Sequence, residues 1–229
     1  MKRIDGSAIG ALLVGVTTLI ITFGPLLGIS PWLPAFFIVV VGGALVLDQF
    51  LFQSRHIRLL LGVLQDLAPE HKSRVLHHEA GHFLVSHLVG IKIVDYSLDA
   101  WDIYKKGDMG SGGVVPDQES ILTFTQKAPW SKVEQYCVAM MAGPAAEQRV
   151  FDSVWGGSDD LEKVRLCLQQ AKKNPDLYRL YVTRAHDLLE SHQAIYEQLV
   201  VLMSKKTPVE ECLAFLNTPL ISSGQRPCG

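Results

Sequence analysis

The chain has 229 residues, 48% hydrophobic and 19% charged, with a formal net charge of −2 and a mean hydropathy of +0.20. A soluble domain carries nearer a quarter charged residues, so part of this chain is expected in lipid. The near-neutral balance excludes a nucleic-acid binder working through a basic field and an acidic, hydrophobe-poor disordered chain; the length suits one folded domain beside a membrane anchor.

In chain order, the first feature is an uncharged run of 42 residues from Gly6 to Leu47, flanked by Asp5 and Asp48. One bilayer crossing takes about 20 apolar residues, so the run has room for two. Gly28, Pro31 and Pro34 interrupt it, and such residues punctuate helices. The pattern predicts a transmembrane hairpin, with helix one over Ser7 to Leu27 and helix two over Pro34 to Phe52. A secretory signal peptide fits less well, because its apolar core is about 7–15 residues and a cleavage site follows. Lys2 and Arg3 precede the run, Arg55 and Arg58 follow it, and the connection between the spans is uncharged. The positive-inside rule then puts both termini, and everything after residue 55, on the cytoplasmic side, or the stromal or matrix side of an organelle. Asp48, at the end of helix two, reads as an interfacial anchor rather than a proton relay.

Gln53 to Ala68 reads as a short connector. A helix is predicted over Pro69 to Leu88, with proline in its first turn and Gly90 as its stop. Ile91 to Leu98 reads as a strand. Gly107 to Gly113 is a glycine-rich loop leading into a second short strand at Val114 and Val115. Ser131 to Phe151 reads as a helix capped by Ser131 with Glu134 three residues on, kinked or split at Pro144. Further helices are expected from Asp159 to about Lys173, as one long helix from Leu177 to Lys205 after the Asn174-Pro175-Asp176 break, and over Val209 to Leu216. The tail from Ser222 reads as flexible. Cys137, Cys167, Cys212 and Cys228 have no C-x-x-C spacing, so they read as buried or free thiols of a reducing compartment.

Chemistry concentrates at His77-His78-Glu79-Ala80-Gly81-His82. Residues i and i+4 share a helix face, so His78 and His82 can bind one Zn²⁺, with Glu79 beside them as general base. Zinc lowers the pKa of a bound water to about 7, which makes hydroxide available at neutral pH. Gly81 costs a helix interior about 1 kcal/mol relative to alanine, so something is expected to approach the helix closely there. His77 and His87 read as ordinary helix residues, with His77 a weaker candidate for supporting the site. A catalytic zinc site needs a third protein ligand, and the H-x-x-G-x-x-H extension is absent. Glu147, Asp159 and Asp160 are the candidates.

These residues resemble the peptidase domain of the FtsH family of membrane-anchored zinc proteases. His78-Glu79-Ala80-Gly81-His82 matches that family's H-E-A-G-H, Ala142 to Glu147 is similar to its G-G-R-A-A-E segment, and Gly156 to Glu162 to its G-A-S-N-D-L-E segment. Arg184 to Cys212 resembles its closing helix, so the likeness spans roughly residues 70 to 215. It implies a zincin-like metallopeptidase domain over 56–221; with the transmembrane hairpin over 1–55 and the flexible tail over 222–229 read from the residues themselves, the expected fold is mainly α with a small β-sheet. It implies Zn²⁺ as cofactor, His78, His82 and Asp160 as ligands, Glu79 as catalytic base, and Glu147 as a supporting residue. Two departures are Pro144, where the family has arginine, and Asp159, where it has asparagine; Asp159 and Glu147 therefore remain alternative ligands.

The family's ATPase module is missing between anchor and peptidase, and no G-x-x-x-x-G-K-[ST] occurs in the sequence. The expectation is an ATP-independent, membrane-anchored zinc metallopeptidase acting on flexible segments of membrane or membrane-associated proteins. Its expected partners are the lipid bilayer, protein substrates, and a homo-oligomer or partner ATPase, with no nucleic acid and no nucleotide. A peptide could add as an edge strand near Gly110 to Val115. Two rivals stand beside this reading. An intramembrane protease would use H-E-x-x-H with Asn174-Pro175-Asp176, but charged residues flank both motifs and no apolar run of adequate length follows Phe52. A non-proteolytic membrane-protein assembly factor or chaperone could keep the same fold.

Overall fold

The computed structural model describes residues 6–28, 30, 32–52, 55–106, 113–119 and 128–218. The tail from Ser222 and most of the glycine-rich loop, 107–112, lie outside these residues. The chain divides into two compact units, Met1–Gln65 and Asp66–Gly229.

In the first unit, helix α1 spans Gly6–Phe23 and tightens into a 3₁₀ turn over Gly24–Leu27. It stops at Gly28, whose φ of 73° closes the turn, a left-handed conformation that glycine adopts at no steric cost. The Thr18 and Thr22 hydroxyls donate to the carbonyls of Val14 and Thr18, which satisfies them inside an apolar helix. Helix α2 spans Trp32–Phe52. It starts two residues before Pro34, since proline is tolerated in a first turn. It is the one helix among the described residues that is long and apolar enough to cross a membrane, at a mean hydropathy of 2.2, and its side chains are almost all exposed. The connector after it is not extended: Arg55–Asp66 forms helix α3. Asp48 organises this junction. Its carboxylate accepts the His56 and Ile57 backbone amides at 3.3 and 3.1 Å and pairs with His56 Nδ1 at 2.6 Å, filling the role of a helix N-terminal cap.

The second unit is mainly helical with a small two-stranded antiparallel sheet. Its order is α4 (Pro69–Leu88), β1 (Ile93–Ser97), α5 (Ala100–Lys106), β2 (Gly113–Pro116), α6 (Trp130–Phe151), α7 (Ser158–Gln170), α8 (Tyr178–Ser191), α9 (Gln193–Ser204) and α10 (Val209–Asn217). β1 and β2 pair with Ser97 opposite Gly113, Tyr96 opposite Val114 and Asp95 opposite Val115, and a bulge lies between Ile93 and Asp95. The core forms where α4 crosses α6 and α8 and α9 close around them, with Phe83, Leu84, Met141, Tyr181, Leu189, Leu199 and Met203 fully buried. Burial of each such side chain stabilises the fold by roughly 1.5–3 kcal/mol relative to exposure. At the crossing the helices touch through small residues. A methyl at Gly81 would lie 2.6 Å from the Ala142 carbonyl oxygen and 2.8 Å from Ala146 Cβ. The close neighbour that Gly81 requires is the backbone of α6.

Three local expectations are corrected. The capping box at Ser131 and Glu134 does not form; α6 begins one residue earlier, Pro129 is its N-cap and no side chain caps it. Proline pre-sets the backbone, and its carbonyl accepts the Lys132 amide at 2.9 Å. Pro144 does not split α6, which runs through it to Phe151. Tertiary burial on every side of Ala142 to Glu147 outweighs the single ladder bond that a proline deletes. The long helix after Leu177 is interrupted at His192. There the Ser191 hydroxyl donates to the carbonyls of Asp187 and Leu188, and His192 Nδ1 bonds the Leu188 carbonyl, so side chains compete with the helix ladder.

Candidate metal centre

The sequence builds the centre from three helices. α4 carries His78, Glu79 and His82; α6 crosses it and carries Glu147; α7 opens with Asp159 and Asp160. His78 and His82, one turn apart, present their Nε2 atoms 3.0 Å from each other. Asp160 Oδ2 lies 3.2 Å from His78 Nε2 and 3.4 Å from His82 Nε2. All three residues are largely buried.

The partners of the opposite ring nitrogens fix the tautomers. His82 Nδ1 faces the Ala139 carbonyl at 2.8 Å, which can only accept, so Nδ1 carries the proton. His78 Nδ1 donates to Glu147 Oε1 at 2.7 Å. Both Nε2 lone pairs therefore face a carboxylate oxygen and each other, an arrangement that only a cation or a proton reconciles. Ligand atoms about 2.0–2.2 Å from a tetrahedral zinc stand roughly 3.3–3.6 Å apart, close to the separations here. Two imidazoles and a carboxylate are also a donor set that suits zinc. His78, His82 and Asp160 thus form a group able to hold a metal ion.

Glu147 is not aimed at that point. Its carboxylate orients His78, as carboxylates do for metal-binding histidines. It is fixed by the amides of Trp155 at 2.8 Å and Gly156 at 3.1 Å, with Arg74 Nη1 3.7 Å away. Arg74 lies between the rings of Phe151 and Trp155, with its guanidinium carbon 4.4 and 3.8 Å from their centroids. It also donates to the Ser153 carbonyl. Asp159, the neighbouring carboxylate, is exposed and bonded to the Ser158 hydroxyl at 3.1 Å; it takes no part in the convergent group. His77 supports no ligand, because its Nδ1 bonds the Tyr196 hydroxyl at 2.8 Å and so ties α4 to α9.

Glu79 is half-buried, and its Oε2 accepts the Val114 amide of β2 at 2.9 Å. The strand reaches it through Gly113, whose φ is +109° and whose added methyl would lie 2.7 Å from that carboxylate oxygen. Lys163, one turn along α7, stands 3.6 Å from Asp160 Oδ1.

The charge pattern follows from these bonds. Burial by itself disfavours a protonated His78, but the hydrogen bonds to Asp160 and Glu147 outweigh it and push the imidazole up to about 10. Burial would raise Asp160, yet the two imidazoles beside it hold the carboxyl far below the ordinary aspartate range. Glu147 is likewise lowered, with burial opposed by His78 and the two amides.

Several supporting residues escape the sequence reading. Gly143 faces both rings, and a methyl there would lie 2.5 Å from His82 Nε2. Arg74 was readable in principle, since it stands one turn before His78 on the same helix. The Ala139 carbonyl and the Trp155 and Gly156 amides are backbone groups that no residue type announces. Compared with known proteins, the chain matches no protein-family model and no curated protein. What fold and site define together is a class: a helical domain with an H-E-x-x-H helix and a two-histidine, one-aspartate candidate metal centre.

Proposed function

We propose that the chain is a membrane-anchored, ATP-independent zinc metallopeptidase with an FtsH-like, zincin-like peptidase domain, hydrolysing peptide bonds in membrane or membrane-associated proteins. The observation that carries this reading is the convergence of His78 Nε2, His82 Nε2 and Asp160 Oδ2 to 3.0–3.4 Å next to a carboxylate, Glu79, that is not spent as a ligand. In this reading α1 and α2 form a two-span hairpin, and the basic residues at its ends keep both termini and the peptidase domain on the cytoplasmic, stromal or matrix side.

When bound, zinc supplies Lewis-acid polarisation and a water that ionises near neutral pH. The chain's own residues do the rest. Glu147 and the Ala139 carbonyl hold the two imidazoles in the tautomer that offers Nε2. Glu79 takes the proton of the attacking water and returns it to the leaving amine. A substrate segment pairs as an extended strand along β2, which brings its backbone beside Glu79 through the Val114 contact.

The test is zinc content and casein cleavage by the purified full chain and two variants. Glu79→Gln is expected to keep about one zinc per chain while losing activity by roughly 10²–10⁴-fold; His82→Ala is expected to lose the metal. Wild-type rates in Glu79→Gln would remove the base from the reaction. A Glu79→Gln chain that fully restores function to a deletion strain would favour the non-proteolytic assembly factor instead.

A further inference from the structure

Helix α3 has a use that the peptidase reading leaves unassigned. Leu60, Val63 and Leu64 recur at the i, i+3, i+4 spacing of one helix face and are 55%, 39% and 53% exposed, whereas Gln65 and Asp66 lie off that face. A contiguous apolar face of this kind requires a cover. The junction with α2 identifies the cover. Three Cα steps separate Phe52 from Arg55, a reach of at most roughly 11 Å. The first turn of α3 is also tied back to the last turn of α2 by the bonds of Asp48 to His56 and Ile57. The Phe52 and His56 rings stack edge to face with centroids 4.7 Å apart. An amphipathic helix fixed to the end of a bilayer-spanning helix starts in the headgroup layer, which extends some 5–8 Å beyond the hydrocarbon on each side.

We infer that α3 lies flat in the interface of the membrane that α2 enters, with Leu60, Val63 and Leu64 in the acyl boundary, as interfacial amphipathic helices do. The partner is the lipid surface, and the inference rests on the reading of α2 as a membrane span. Its consequence is that the chain leaves the bilayer along the surface rather than away from it.

The experiment uses the full chain reconstituted in phosphatidylcholine–phosphatidylglycerol vesicles, with a photoreactive benzophenone amino acid in place of Leu60, Leu64 or Gly62. Gly62 lies on the opposite face of α3 by helical periodicity. Lipid adducts from positions 60 and 64, and their loss at position 62, are the expected result. Adducts from 60 and 64 to the same chain or to a second copy would overturn the inference, as would an equal lipid yield at 62. Alkaline carbonate extraction of the same vesicles reports α2 separately. A chain washed off by carbonate overturns the spanning reading and this inference with it; a carbonate-resistant chain whose adducts are protein overturns the placement of α3 alone.

Discussion

At the scale of single residues, the centre depends on side chains that hold the ligands. Glu147 is buried, accepts His78 Nδ1–H at 2.7 Å and is itself held by two amides. Replacing such a partner typically weakens metal affinity by about 10–100-fold. Glu147→Gln is therefore expected to raise the zinc dissociation constant by that factor in a chelator competition, with helix content unchanged by circular dichroism; an unaltered constant would show that His78 is oriented by packing alone. The same bonds set a proton balance. In the metal-free site His78 is pushed up from its ordinary value of 6.5 to about 10, so it is protonated at neutral pH. A raised group contributes stability that is complete below 6.5 and is lost as pH climbs through about 10. Zinc must displace that proton. Calorimetric titration at pH 7.5 in buffers of differing ionisation enthalpy should thus show release of at least one proton per zinc from this site. A binding enthalpy independent of buffer would contradict the charge pattern. The candidate pair His78 and His82 was legible, because H-E-x-x-H writes its geometry into a four-residue spacing; Asp160 was one of three open carboxylates that spacing along the chain does not separate. The supporting residues were not. Gly143 matters through a missing methyl and Ala139 through its carbonyl, and neither property is carried by residue type along a single chain.

At the scale of elements, the crossing of α4 on α6 is what converts a helical motif into a site. Gly81 lets the two backbones meet, and Gly143 leaves room for the rings of His78 and His82. Gly143→Ala separates these roles. Alanine favours a helix over glycine by about 1 kcal/mol, so α6 should form at least as well. The added methyl would nonetheless stand 2.5 Å from His82 Nε2 and force the imidazoles apart. The expected outcome is a folded protein with a normal thermal transition and little bound zinc by elemental analysis. Full zinc occupancy would mean that the rings can yield without losing the ligand geometry. Helix α4 was legible to the residue, since Pro69 opens it and Gly90 follows its end. Elements set by competition were not. The break at His192 arises because Ser191 and His192 side chains bond carbonyls of the preceding turn, and α6 survives Pro144 because its surroundings are buried. Local propensity sees neither effect. Helix α3 reads as a connector by its place between the anchor and α4, although Leu60, Val63 and Leu64 carry helical spacing.

For the whole molecule, the question is what reaches the centre. Between α2 and α4 the described residues form α3, and no G-x-x-x-x-G-K-[ST] occurs in the sequence; in the proposed ATP-independent reading, substrates have to arrive already open. Glu79 meets β2 through a backbone amide, and a substrate that pairs with this strand must present unpaired backbone of its own. Folded proteins have already spent those groups on internal hydrogen bonds, and opening them costs up to the full 5–15 kcal/mol of domain stability. Flexible segments carry no such cost. The expectation is that the purified chain cleaves casein or a permanently unfolded variant of a reporter domain, that it leaves the folded reporter intact, and that ATP alters neither rate. Local opening should set the residual cleavage of a folded substrate. A series of reporter variants of graded stability should then be cut at rates that rise about tenfold for every 1.4 kcal/mol of stability removed. Rates that ignore reporter stability in this purified system would overturn the reading, because the chain would then be opening folded substrates by itself.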